Sequence, residues 1–216
     1  MACRRCGGAA EHPFLVQGEG AARGGRPLSR SAAPAAPVLR YVKSRSFAVR
    51  DVAQKALAMH TAGGRRHLLA LHLRGANARQ EVTLRLDFYK PLGTGPAPGV
   101  PVALHVDGCG LLLSCGQEAA GPVLWLEEAD GPVPEIGAKQ RRFLFFRLCS
   151  GTTCRFESAL SPGWFLATAN RDRALLALAP AATPGAILDF HLYPSAAIPP
   201  PRPAAELAAA GWHGCA

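Results

Sequence analysis

The cysteine and histidine residues of this sequence could bind a metal ion, but their spacings do not form a metal site. Cys3 and Cys6 have the spacing of half a zinc site, but only His12 stands nearby as a further ligand, and a structural zinc ion needs four. The other central histidines are spread over separate apolar runs, at His60, His67, His72, His105 and His191. The sequence therefore predicts no metal and no cofactor.

The acidic residues and the glycine-rich stretches do not form a catalytic pattern either. Glu127 and Glu128 are adjacent, so in a strand their side chains point to opposite faces and cannot act on one bond. The sequence has no GxSxG, no HExxH and no phosphate-binding loop. We therefore expect a protein that is not an enzyme.

The elements that position the side chains are short apolar runs of four to eight residues, bounded by Gly, Pro, Asn, Asp or charged residues. In residues 82–88 the apolar side chains alternate, which puts Val82, Leu84, Leu86 and Phe88 on one face of a strand. Similar runs include residues 46–49, 55–60, 69–75, 102–106, 111–115, 123–127, 143–148, 154–158, 164–169, 174–179 and 186–193. About a dozen strands at this spacing predict a closed all-β architecture without long helices.

Composition and charge divide the chain into three parts. We predict a flexible basic segment over residues 1–37, a folded domain over 38–194 and a disordered tail rich in Pro and Ala over 195–216. Residues 1–50 carry a net charge of +7 and residues 51–216 only +2. A nucleic-acid module would instead carry its basic residues on the folded surface, so we expect no nucleic-acid partner.

The cysteines and the tryptophan of the central region are interpreted as core residues. The chain has seven cysteines, an odd number and too few for a disulfide scaffold at this length. We therefore expect Cys109, Cys115, Cys149 and Cys154 to pack as small buried hydrophobic residues, together with Trp125. No secretory leader and no membrane-spanning stretch are expected, because the longest apolar run near the start is Phe14 to Val16.

The most informative stretch is FESALSPGWFLAT, residues 156–168. Pro162 and Gly163 predict a tight turn between two strands, and Trp164 and Phe165 are suited to anchor one side of a barrel. This stretch resembles the sequence pattern of the interleukin-1 family of cytokines, and the similarity extends over residues 38–193. The resemblance implies a β-trefoil of twelve short strands with pseudo-threefold symmetry.

The resemblance also implies a secreted, monomeric, pro-inflammatory agonist of the type 1 interleukin-1 receptor that recruits the receptor accessory protein, and a decoy type 2 receptor as a further partner. Residues 1–37 would then be a pro-segment of a cytosolic precursor that leaves the cell by an unconventional route. The receptor-binding positions that line up with the family are Arg50, Gln54, His72, Phe88, Val100, Arg142, Arg147 and Asp189. The resemblance links the last of these, Asp189, to recruitment of the accessory protein. Phe88 and Val100 could equally be core residues, and the arginines could be solvated surface charges.

Two alternatives remain open from the sequence. A receptor antagonist of the same family shares the PGWF turn, and a heparin- or glycan-binding trefoil would use the fold differently. The small net charge of residues 51–216 and the absence of a repeated QxW motif count against the second alternative. No Asp precedes Asp51, so we expect that a caspase cannot release the domain, and that an elastase-like protease cuts among residues 33–38.

Overall fold

A computed structural model describes residues 37–92 and 97–195 of the chain, so the predicted terminal segments lie outside the described residues. The strands are β1 Leu39–Asp51, β2 Ala56–Ala62, β3 Arg65–Leu71, β4 Thr83–Pro91, β5 Val100–Val106, β6 Leu111–Glu118, β7 Gly121–Glu128, β8 Glu135–Ile136, β9 Phe145–Ser150, β10 Thr153–Ser158, β11 Trp164–Ala169, β12 Ala174–Leu175, β13 Ala177–Pro180, β14 Ala186–Ile187 and β15 Phe190–Pro194. Short 3-10 helices span Gly75–Gln80 and Arg141–Phe143. Neither of these two helices has the length or the apolar character to cross a bilayer.

Six strands close into a ring of antiparallel pairs. β1 pairs with β4, β4 with β5, β5 with β9, β9 with β10, β10 with β15, and β15 pairs back with β1. Closure leaves these six strands without a free edge, which removes the backbone groups that would otherwise pair with other chains.

Three hairpins join consecutive strands of this ring. They are formed by β2 with β3, β6 with β7, and β11 with β13. The chain therefore passes three times through the order barrel strand, hairpin, barrel strand. Six barrel strands and six hairpin strands make the twelve strands of a β-trefoil, as predicted, and β8, β12 and β14 are additional pairings of two residues each.

The main core lies inside the barrel, because each barrel strand turns alternate apolar side chains inward. The barrel strands β1, β4, β5, β9, β10 and β15 contribute Val49, Leu84, Leu104, Phe145, Phe156 and Phe190, which are all 2% exposed or less. Leu57 and Leu166 pack onto this cluster from two of the hairpins. The alternation predicted for residues 82–88 is confirmed, since Val82, Leu84, Leu86 and Phe88 all join this cluster.

The structure corrects the bounds of several predicted strands, since Phe143 of run 143–148 belongs to a 3-10 helix and runs 174–179 and 186–193 each contain two strands. The run at residues 69–75 is strand only to Leu71, and residues 75–80 form a 3-10 helix. Gly75 begins this helix at φ +56°, a conformation that glycine adopts without a steric penalty. The turn predicted at Pro162–Gly163 is confirmed, because the Trp164 amide donates to the Ser161 carbonyl over 3.1 Å and Gly163 has φ +81°.

The prediction that all four central cysteines are core residues is wrong for Cys109 and Cys149, which are exposed, and is confirmed for the buried Cys115 and Cys154. Cys149 and Cys154 face each other across β9 and β10 and form a disulfide, with their Cα atoms 4.0 Å apart. Cys109 is free and exposed, and Cys115 is free and buried. The disulfide was not predicted, because strand pairing, which composition does not reveal, brings Cys149 and Cys154 to facing positions.

Trp125 also departs from its predicted core position. It is only half-buried, and the Arg65 guanidinium lies over its ring at 5.1 Å from the centre. Trp125 lies on β7, where residues 121–127 are all partly exposed, so neither face of this hairpin strand is fully covered. An indole ring at such a site can bury its apolar surface under a neighbouring guanidinium.

Candidate functional site

The connection between β1 and β2 is a three-residue exposed loop, Val52–Gln54, held closed at its base. The Asp51 amide donates to the Lys55 carbonyl over 3.1 Å, and the Gln54 amide donates to the Asp51 carbonyl over 2.8 Å. Gln54 has φ +62°, a left-handed conformation that costs a non-glycine residue energy and is often kept at functional positions. The loop thus presents the Gln54 side chain to solvent in one backbone geometry.

Arg50 and Gln54 meet at the ring of Tyr193. Arg50 makes a bidentate ion pair with Glu81, at 2.9 Å from Nε and 2.8 Å from Nη2, and these hydrogen bonds raise the pKa of Arg50. The Arg50 guanidinium lies 5.8 Å from the centre of the Tyr193 ring. The Tyr193 hydroxyl donates to Gln54 Oε1 over 3.3 Å. Two predicted contact residues therefore share one aromatic neighbour.

His72 reaches the same loop from the end of β3. Its ring nitrogen Nε2 is 3.0 Å from the Ala53 carbonyl oxygen, and its backbone amide donates to Asp172 Oδ1 over 2.8 Å. That backbone hydrogen bond lowers the pKa of Asp172. His72 is therefore held on both sides, and its ring contacts Ala53, the residue before Gln54.

Asp189 borders the loop from the opposite direction. Its backbone carbonyl accepts a hydrogen bond from the Val52 amide over 3.0 Å. Its carboxylate accepts two hydrogen bonds from Arg155, each of 2.8 Å, which lower the pKa of Asp189. We define the first surface as Arg50, Gln54, His72 and Asp189 around the loop Val52–Gln54.

A second surface consists of Phe88, Val100 and Arg147. Val100 is opposite Arg147 in the pairing of β5 with β9, and the Arg147 guanidinium lies 5.1 Å from the centre of the Phe88 ring. Val100 is 41% exposed, whereas Phe88 is half-buried against the main core. Arg147 Nε is buried and has no hydrogen-bond partner among the described residues, and burial lowers the pKa of Arg147.

Arg142, the eighth predicted position, stands apart from both surfaces in its contacts. It makes a bidentate ion pair with Glu127, through Nε at 3.1 Å and Nη2 at 3.1 Å, and lies over the ring of Phe143. Glu128, the next residue, pairs instead with Arg66 at 2.8 Å. The prediction that Glu127 and Glu128 point to opposite faces is thus confirmed.

Beneath the loop lies a buried ion pair that the sequence did not reveal. The side chains of Asp51 and Lys55 are both 0% exposed, with Asp51 Oδ2 and Lys55 Nζ 3.2 Å apart. Thr168 donates a 2.6 Å hydrogen bond to Asp51 Oδ2, and Lys55 Nζ donates to the Ala169 carbonyl. Thr168 ends the 156–168 motif, so this bond gives the motif's threonine a structural role.

The partners of the predicted residues were not foreseen either. Glu81, Arg155, Asp172 and Tyr193 lie 31 to 139 positions from the residues they hold, and no local pattern marks them. No group of three or more His, Cys, Asp or Glu side chains within the described ranges could hold a metal ion. The arrangement is a set of exposed and ion-paired side chains suited to contact another protein.

Comparison with known proteins agrees with this geometry. The family described as Interleukin-1 / 18 matches residues 73–192, more than half of the chain. The chain belongs to the interleukin-1 family. Interleukin-1 beta of Cavia porcellus is 34% identical over 131 residues, and that of Homo sapiens is 32% identical over 131 residues. Each match covers 61% of this chain and 47% of the relative, so the chain spans about half the length of these curated relatives.

Solved structures of the interleukin-1 family give the same result. The crystal structure of the chicken cytokine interleukin 1 beta is 36% identical, with a TM-score of 0.64, and the match covers 72% of this chain and 99% of that one. An NMR structure of interleukin-36alpha has a TM-score of 0.53 at 23% identity, covers 70% of this chain and 94% of that one, and supports the fold alone. The predicted trefoil and the resemblance to the interleukin-1 beta branch are confirmed. Since the relatives are cytokines, the family is one of non-enzymatic signalling proteins, as predicted.

Proposed function

We propose that this interleukin-1 family member is a pro-inflammatory cytokine that activates the type 1 interleukin-1 receptor and recruits the receptor accessory protein. The observation that carries the proposal is the first surface. Arg50, Gln54 and His72 are separated by up to 22 positions in the sequence but lie together around the exposed loop Val52–Gln54. Arg50 and Gln54 both contact Tyr193, and His72 contacts Ala53 within the loop. Residues that meet on a rigid exposed surface can bind one partner together.

The second surface supports the same proposal by its charge. The Arg147 guanidinium lies 5.1 Å from the centre of the Phe88 ring, and its buried Nε has no partner in the described part of the chain. Arg147 also lies beside exposed Val100. An arginine already held against an aromatic ring loses less conformational entropy when it binds a carboxylate than a freely rotating one. We expect the receptor to place an acidic side chain there, next to an apolar residue that covers Val100.

Receptor binding tests the proposal. We expect Arg50→Ala to weaken binding of the chain to the type 1 receptor ectodomain by about tenfold or more, because it removes a contact residue of the first surface and leaves Glu81 unpaired beside it. Arg40→Ala is the matched control, because Arg40 forms an exposed ion pair with Glu135 away from both surfaces. Equal affinities for the wild type and Arg50→Ala, or no binding by the wild type, would contradict the proposal.

Signalling separates recruitment of the accessory protein from primary binding. In reporter cells, we expect Asp189→Lys to keep primary receptor binding and to lose activation, because it reverses the charge at the predicted accessory-protein contact. Wild-type chain that binds the receptor without activating the reporter would contradict an agonist function.

One observation favours a receptor antagonist as the second candidate. Both carboxylate oxygens of Asp189 are bound by Arg155, so this acid is already neutralised within the chain. An antagonist would suppress the response of reporter cells to a known agonist and give none alone. Arg155→Ala would free Asp189, so a gain of activation in this variant would favour the antagonist assignment for the wild type.

The cellular route belongs to the same proposal. The relatives are cytokines, which act outside cells, and we propose that this chain is made as a cytosolic precursor and released without the endoplasmic reticulum. We further propose that it acts as a monomer and that the type 2 receptor binds it as a decoy. Release from expressing cells should therefore persist when transport from the endoplasmic reticulum is blocked, and loss of release would contradict this route.

A further inference from the structure

We infer that the buried Asp51–Lys55 ion pair is a positioning device for the loop Val52–Gln54, and through it for the whole first surface. The inference rests on the proposed function for its binding consequence, but not for its structural consequence. Neither residue is exposed, so neither touches a partner. Both are therefore positioning residues and not contact residues.

The pair closes the loop from both ends. Asp51 precedes the loop and Lys55 follows it, and the Asp51 amide donates a hydrogen bond to the Lys55 carbonyl. The Lys55 amide also donates to Asp51 Oδ1 over 2.9 Å. Two hydrogen bonds and one ion pair thus join Asp51 to Lys55, and only the three loop residues Val52–Gln54 lie between them. These bonds leave the loop little conformational freedom.

The pair is anchored to a different hairpin. Asp51 Oδ2 accepts the hydroxyl proton of Thr168, and Lys55 Nζ donates to the carbonyl of Ala169. Asp51 Oδ2 and Lys55 Nζ therefore each have one hydrogen-bond partner on β11. The loop is fixed relative to the barrel in direction as well as in shape, because hydrogen bonds are directional and apolar contacts are not.

Energetics indicate that stability alone does not account for the pair. Removing two charges from water is costly, and well-packed apolar residues of similar volume often stabilise a site at least as well. A buried ion pair does contribute a defined geometry. Here that geometry places the Val52 amide on the Asp189 carbonyl and the Ala53 carbonyl on the His72 ring.

One pair thereby orients all four members of the first surface. Gln54 belongs to the loop, His72 and Asp189 are held by its backbone, and Arg50 directly precedes Asp51 and shares Tyr193 with Gln54. The loop Val52–Gln54 therefore contacts both groups of residues. One group is proposed to bind the primary receptor, and Asp189 is proposed to bind the accessory protein. Loosening the loop should therefore weaken both interactions.

The test is the double variant Asp51→Asn with Lys55→Met in the full chain, which removes both charges at nearly constant volume. We expect the amides of Val52 and Gln54 to exchange with solvent about tenfold faster than in the wild type, and the affinity for the type 1 receptor ectodomain to fall about tenfold. Leu112→Ala is the control, because it truncates a fully buried side chain in a second core cluster, which also contains Leu39, Ile136 and Leu144. At equal or greater loss of thermal stability, this control should keep wild-type receptor affinity.

A milder variant keeps the test decisive if the double variant does not fold. Thr168→Val removes one hydrogen bond to Asp51 and keeps both charges paired, so we expect the same changes with smaller amplitude. Unchanged exchange at Val52 and Gln54 in folded variants would overturn the inference, whatever the binding result. Faster exchange with unchanged affinity would overturn the link to the receptor, and a wild type that binds no receptor would instead overturn the proposed function.

Discussion

At the level of single residues, the charged groups of the first surface are already bound within the chain. Arg50 is paired with Glu81, and Asp189 is paired with Arg155. A receptor must therefore share these groups or compete for them, which reduces the net gain from each contact. Gln54 differs, because only one hydrogen bond from Tyr193 reaches its side chain.

Gln54 allows backbone strain to be separated from side-chain contact. Gln54→Gly and Gln54→Ala both remove the side-chain amide, but only glycine adopts φ +62° without a steric penalty. We expect the alanine variant to have a free energy of unfolding about 1 kcal/mol below that of the glycine variant. Receptor affinity should fall equally in both. Denaturant unfolding and binding assays on the pair check this, and equal stability of the two variants would contradict it.

The Asp189–Arg155 pair predicts a pH dependence of stability. Hydrogen bonds from Arg155 lower the pKa of Asp189 below its ordinary 3.8 in the folded state. The resulting stabilisation is complete above that ordinary value and is lost as the pH falls through the lower, folded-state pKa. We expect Asp189→Asn to be less stable than the wild type at pH 6 and the difference to shrink below about pH 3. A difference independent of pH, in unfolding curves measured from pH 7 to pH 2, would contradict this assignment.

At the level of elements, the β9–β10 hairpin is the most constrained connection beside the first surface. The Cys149–Cys154 disulfide crosses it, and the next residue, Arg155, holds Asp189. Arg155 of the hairpin thus binds Asp189, which directly precedes β15, and Asp189 in turn binds Val52 of the loop. The short closed loop restricts the unfolded chain only modestly, so the disulfide should assist the fold without being required for it.

Replacing both cysteines tests this element. We expect Cys149→Ser with Cys154→Ser to lower the free energy of unfolding by about 2 kcal/mol, the loop-closure value for so short a loop, and to leave the circular dichroism spectrum of the folded chain unchanged. Cys109→Ser is the matched control, since that thiol is free and exposed. Loss of folding in the double variant, or no change in stability, would contradict the expectation.

At the level of the whole molecule, closure of the barrel decides which peptide bonds a protease can reach. Asp51 is 1% exposed and ends a strand that is paired on both sides, so its peptide bond is protected. We expect limited proteolysis to leave a resistant fragment that begins near residue 38 and ends near residue 194, in accordance with the predicted domain boundaries.

Protease specificity should follow from the same protection. We expect an elastase-like protease to cut among residues 33–38 and an inflammatory caspase to leave the folded chain uncut before Tyr41. Mass spectrometry of the new N-terminus after each digestion checks both expectations. A caspase-generated start upstream of Tyr41 would contradict them.

The sequence by itself determined the class of fold and the family. Alternating apolar residues predict strands because a strand turns successive side chains to opposite faces, and that rule needs no tertiary information. The motif at residues 156–168 is likewise local, since Pro162 and Gly163 form a turn with their own backbones. Every apolar run contains at least one strand, but residues 72–75 are not strand because the end of β3 is set by its pairing with β2, and Phe143 belongs to a 3-10 helix.

Only the tertiary structure decided what each side chain meets. The pairs Arg50–Glu81, Arg155–Asp189 and Cys149–Cys154, and the burial of Asp51 with Lys55, follow from strand register and from closure of the ring. Register depends on the packing of the whole core, because a slip of one residue would turn every side chain of a strand to the other face. Local sequence therefore determines where strands form, and the closed barrel determines which residues share a surface.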